Sequence, residues 1–123
     1  MTPGLPCVYI VSLMPAAAPL GEFEVVVLMA VLHGGDAAYG SAIRDGIEER
    51  TGRPVSRGAV YITLDRLEEK GLLSSRMGGA TAERGGRAKR LFRVTATGLK
   101  AVRHSVGVMA SMYKGLEPIV GRV

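Results

Sequence analysis

Ser56-Arg57-Gly58-Ala59-Val60-Tyr61-Ile62-Thr63-Leu64-Asp65-Arg66-Leu67-Glu68-Glu69-Lys70-Gly71-Leu72-Leu73 reads as one amphipathic helix that stops at a glycine and enters a strand. Val60, Leu64 and Leu67 fall at i, i+4 and i+7 and share a helical face. Arg57, Gly58, Tyr61, Ile62, Asp65 and Arg66 lie towards the flanks and the opposite face, so one side can pack on a domain while the other is left for a partner. Ser56 offers a hydroxyl to an orphan backbone N–H at the start, and Gly71 supplies the left-handed conformation that ends many helices.

Upstream, the run from Leu20 to His33 places Glu22 and Glu24 in a first turn, where the helix dipole favours acids, and Gly34-Gly35 after its end. The run is too long for an ordinary strand and apolar almost all round, which predicts a helix at the centre of the fold. Asp36 to Gly40 leads into a second helix, from Ser41 to about Arg50. Ile43 and Ile47 share its buried face, Gly46 reads as a point of close helix approach, and Thr51-Gly52-Arg53-Pro54 closes it.

Downstream, Leu72 to Met77 and Lys89 to Val94 predict the strands of a β-hairpin, joined by a glycine-rich basic tip from Gly78 to Arg87. Three helices, the third basic near its start, outline a helix-turn-helix; a hairpin directly after it makes a winged helix. Thr95 caps a last helix in which Leu99, Val102, Val106, Met109, Tyr113 and Leu116 alternate spacings of three and four. Such an a/d seam packs helix on helix, and a lone exposed seam is adhesive, so it is expected to pair with the same helix of a second subunit.

The expected fold class is therefore mainly α with a small β-hairpin. A loose N-terminal extension covers 1–19, a winged helix-turn-helix domain 20–95, and a C-terminal dimerisation helix and tail 96–123. A chain of 123 residues with 47% hydrophobic content suits one domain with an accessory element. Without Trp, its core must come from Leu, Val, Ile, Met and Ala. The net charge of +5 suits a polyanionic partner, and its placement says more: no Lys or Arg precedes Arg44, whereas from Lys70 to Lys114 ten cations stand against Glu83 alone. Cys7, the single cysteine, rules out an intrachain disulfide and a cysteine-rich zinc site, and agrees with a cytoplasmic location. The apolar start, Val8 to Met14, lacks the positive flank of a secretory signal and is too short to span a bilayer, so no membrane partner is expected.

The chain resembles the phenolic-acid-decarboxylase-regulator (PadR) family of bacterial transcription factors from about Leu20 to the end of the last helix. The matching residues are Tyr39-Gly40 with Ile43, Val60-Tyr61 with Leu64, Arg66-Leu67-Glu68 with Gly71-Leu72, and Arg90 to Thr95 with Gly98. Each piece alone is weak, since MarR-type winged helices share a Leu-x-x-Leu-x-x-x-Gly-Leu run, but the set is specific. The resemblance implies a homodimeric winged-helix DNA-binding protein, often a repressor, in its compact branch with one helix after the wing. Phe92 stands where the family usually has tyrosine, and the N-terminal extension is longer and more apolar than usual.

Within that frame Ser56, Arg57, Gly58, Tyr61, Ile62 and Arg66 form the candidate DNA-recognition set. Arg57 can bond guanine bidentately, the Tyr61 hydroxyl can reach a phosphate, and Gly58 lets the helix approach closely despite its helical cost. Arg84, Arg87, Lys89 and Arg90 form the candidate wing set, gripping phosphate or entering a minor groove. A solvated helix face and a charged loop are the plainer readings of the same residues. Tyr39, Tyr113, Met109 and Met112 read as packing residues. No cofactor, metal or catalysis is expected: His33 and His104 stand apart from any ligand spacing, the glycine-rich tip lacks the Gly-Lys-Ser/Thr ending of a P-loop, and Glu48-Glu49 and Glu68-Glu69 suit solvated, ion-paired helix surfaces. A small apolar effector lodged between subunits against Phe23, Val27, Met109 and Met112 is a further candidate partner, though dimer core accounts for those residues equally. The resulting expectation is a sequence-specific, homodimeric transcriptional repressor acting on a double-stranded DNA operator. The alternative is a winged-helix protein-interaction module without DNA binding.

Overall fold

The computed structural model describes residues 19–78 and 89–123. The expectations for the N-terminal extension and Cys7, and those for Arg84 and Arg87, lie outside the described residues. Helix α1 runs Glu22–Gly34, a 3-10 turn Gly35–Ala37, α2 Gly40–Thr51 and α3 Arg57–Glu69. Strands β1 (Leu73–Gly78) and β2 (Lys89–Val94) follow, then α4 (Ala96–Tyr113) and the short α5 (Glu117–Val120).

Each boundary has a local cause. The Glu24 carboxylate accepts the Gly21 N–H at 2.9 Å, closing the first turn of α1. Gly52 ends α2 at φ 71°, and the Thr51 hydroxyl donates to the Ile47 carbonyl at 2.7 Å. Ser56 Oγ caps α3 by accepting from the Ala59 N–H at 3.0 Å, and Gly71 turns the chain out of it at φ 79°.

The core lies where α1, α2 and α3 meet the base of the hairpin. Val27, Leu28 and Val31 of α1, Ile43 and Ile47 of α2, Val60, Leu64 and Leu67 of α3, and Leu72, Leu73, Phe92 and Val94 are all buried in one cluster. The face read from the spacing of Val60, Leu64 and Leu67 is thus the packed face. Thr63, one turn from Val60, is buried with it. On α1 burial is confined to one side, and Leu32 stays exposed.

β1 and β2 pair antiparallel, with Leu73 opposite Val94, Ser75 opposite Phe92 and Met77 opposite Arg90. Those six side chains share one face, since side chains alternate along a strand. The face is buried at Leu73, Phe92 and Val94 and exposed at Met77. Beside β2, Tyr39 bridges Leu91, and the Phe92 N–H donates to the Ala38 carbonyl at 2.8 Å, so β2 is held on both edges, by β1 and by this segment.

Two glycines permit close approaches, and neither is the one the sequence suggests. A Cβ at Gly40 would run into the Tyr61 hydroxyl and ring, and one at Gly98 into the Leu72 carbonyl and Val94. A Cβ at Gly46 would meet nothing, so the close approach expected there is absent: α2 and α3 come together at Gly40 instead. Thr95 fastens α4 to the α3–β1 turn. Its hydroxyl donates to the Gly71 carbonyl at 2.7 Å and accepts from the Gly98 N–H at 3.0 Å.

Candidate nucleic-acid interface

The outer side of α3 is open. Arg57, Gly58, Ile62, Asp65 and Arg66 are exposed, Ile62 by 60%, and nothing lies within 4 Å of where a Gly58 side chain would begin. The first two turns of α3 therefore present a cation, a bare backbone segment and an aliphatic side chain. Tyr61 is placed differently: half-buried, it lies over Gly40 and packs against the core. Its ring is a spacer between α2 and α3 in addition to any contact its hydroxyl makes.

Salt bridges hold α3 in place from its far end. Lys70 Nζ meets Glu24 Oε2 at 2.7 Å, tying the end of α3 to the start of α1. Burial pushes the Glu24 carboxyl up, but the Lys70 bond, the Gly21 N–H and the charges of Lys70 and Arg66 outweigh it and hold it below the usual range. Arg53 forms a two-pronged bond to Glu22 at 3.1 and 3.2 Å, which lowers the Glu22 carboxyl, and the Val55 N–H donates to Glu48 at 3.2 Å.

On the wing, the ammonium of Lys89 stands 4.0 Å from the centre of the Tyr39 ring. Arg90, grouped by sequence with the phosphate-gripping cations, is partly exposed and bonded to α3 and β1. Its Nη1 donates to Asp65 Oδ1 at 2.9 Å, its Nη2 to Glu68 Oε1, and its Nε to Ser75 Oγ at 3.2 Å. The Ser75 hydroxyl in turn donates to Glu68 Oε2 at 2.8 Å. The Ser75 bond most strongly, then Arg90, lowers the Glu68 carboxyl despite partial burial. This network links α3 and the wing, and its signal in the sequence was the unpaired acids Asp65 and Glu68 on the helix that precedes a basic strand.

The α4 seam is exposed along Leu99, Val106 and Met109, with Val102 and Tyr113 half-buried. The seam expected through Leu116 is shorter: α4 ends at Tyr113, the chain turns at Gly115 with φ 90°, and Leu116 belongs to the following turn. The effector lining is also corrected, because Val27 is 0% exposed inside the subunit core and cannot share a surface with Met109 and Met112. A small cleft lies elsewhere, between the 3-10 turn and the outer face of the hairpin, lined in part by Asp36, Arg76 and Arg93.

A model of the transcriptional regulator PadR-like family matches residues 28–104, from the middle of α1 into α4. The chain belongs to that family. Among solved structures, a transcriptional regulator from Clostridium thermocellum is 19% identical, with 98% of each chain covered and a TM-score of 0.64. A PadR family transcriptional regulator from Eggerthella lenta is 21% identical, with 96% of each chain covered and a TM-score of 0.63. These two show a shared fold. The protein hsRosR-S1, in a complex structure, is 28% identical over 78% of each chain with a TM-score of 0.58. No curated protein matches the chain. This PadR-like protein is thus a winged-helix transcriptional regulator, and among its described residues no helix is long and apolar enough to cross a membrane.

Proposed function

We propose that this PadR-like regulator is a homodimeric repressor that binds a pseudo-palindromic operator, placing one α3 in each of two successive major grooves. The observation that carries this reading is the open N-terminal half of α3. Arg57, bare Gly58 and Ile62 stand on one exposed surface whose opposite side is locked into the core. In this reading Arg57 reads a base edge, Ser56 and Tyr61 meet phosphate, Ile62 meets a thymine methyl, and Arg66 meets the flanking backbone. Lys89, with Arg84 and Arg87, supplies wing cations. The exposed stripe Leu99, Val106 and Met109, with Val102 and Tyr113, supports pairing of α4 with its symmetry mate.

Fluorescence anisotropy with duplex DNA over a salt series tests the reading. Binding should weaken steeply as salt rises, because released counterions drive it. A protein-interaction module would show no salt-dependent DNA binding at all.

A further inference from the structure

The network around Arg90 lies where the hydrophobic core ends and the wing begins. Along the inner face of the hairpin, buried Leu73, Val94 and Phe92 give way to Ser75 and Arg90, and there the polar bonds take over from packing. Helix α3 packs on the hairpin mainly through β1, and beyond the shared apolar core the Arg90 side chain adds a direct polar tie from β2 to α3. Its guanidinium also stands 4.8 Å from the centre of the Phe92 ring, a cation–π contact within its own strand.

The electrostatics run against the simplest view of a DNA-binding surface. Asp65 and Glu68 place two carboxylates on or beside the exposed side of α3, where they would repel phosphate. Arg90 answers both, and its planar fork holds them in a fixed geometry that a freely rotating ammonium would not impose. We propose that Arg90 is a positioning residue. Clamped to Asp65 and Glu68, it sets the angle of the wing to the recognition helix, so that both meet the same operator half-site, and it does not itself grip phosphate. This rests on the DNA-binding reading above.

The test compares four variants of the full chain: D65N/E68Q, R90M, their combination, and R90K. Each is measured against DNA selected by the wild-type protein and against random duplex, at fixed salt and well below the unfolding temperature. D65N/E68Q adds two units of positive charge and strips Arg90 of both its ion-pair partners. If Arg90 grips phosphate, both affinities should rise and their ratio should stay. The clamp requires instead that the ratio of operator to random affinity fall, by about tenfold. R90M should lose the same ratio, the combined variant should lose no more than R90M alone, and R90K, which keeps charge without the fork, should recover only part. An unchanged ratio in D65N/E68Q, or losses confined to unfolding temperature, would overturn the clamp and leave DNA binding standing. Failure of the wild-type protein to select any DNA would overturn both.

Discussion

At the scale of single residues, the molecule separates glycines that look alike in the sequence. Gly98 and Gly40 hold places that a Cβ would fill with a neighbour's atoms, whereas Gly46 and Gly58 open on space within helices. Gly98→Ala should therefore destabilise the protein by about 1–3 kcal/mol through forced backbone shift, and Gly46→Ala should stabilise it by about 1 kcal/mol through helix propensity. Chemical denaturation measures both, and equal effects at the two positions would contradict the assigned contacts. Arg57→Ala belongs to the same scale. It should lose preference at one base pair of each half-site, worth about 1–3 kcal/mol, more than it loses affinity for random DNA. The glycine distinction was not legible in the sequence, because it depends on Tyr61 and Leu72, which reach those sites only through tertiary packing. Phe92 is the converse: it is buried and its N–H is bonded to Ala38, so the tyrosine hydroxyl usual in the family is not needed to seat it.

At the scale of elements, α3 and α4 begin where their capping residues stand, because Ser56 and Thr95 make bonds three residues on within their own segments. The hairpin was legible too, since alternating apolar residues and a glycine-rich tip leave few other pairings. What the sequence does not carry is the bond between elements. Arg90 looks like its basic neighbours until Asp65 and Glu68 are brought beside it, and Leu116 continues the heptad spacing until Gly115 turns the chain. The Glu68 network gives a pH prediction. Its carboxyl is held below the ordinary value of 4.5, so the stability it contributes is fully present above that value and is lost as pH falls through the lowered folded value. The stability difference between the wild-type protein and Glu68→Gln should accordingly be constant at neutral pH and shrink below about pH 4.5. A gap that widened on acidification would refute the assigned direction.

At the scale of the whole molecule, the basic second half and the apolar stripe of α4 belong to one design: two subunits joined along α4 would present two copies of α3 to one duplex. Val106→Glu with Met109→Glu would set like charges against their symmetry mates, and sedimentation should then show monomers where the wild-type protein is expected to sediment as a dimer. Dimerisation matters to the reading because one α3 covers only a half-site, and two-fold symmetry in the protein demands it in the DNA. The most direct measurement is therefore selection of bound sequences from random duplex DNA by the purified protein. Enrichment of a pseudo-palindrome is expected, with half-sites centred about 10–10.5 base pairs apart or a multiple of that spacing. Recovery of unenriched DNA, or of a single half-site without a symmetric partner, would contradict it.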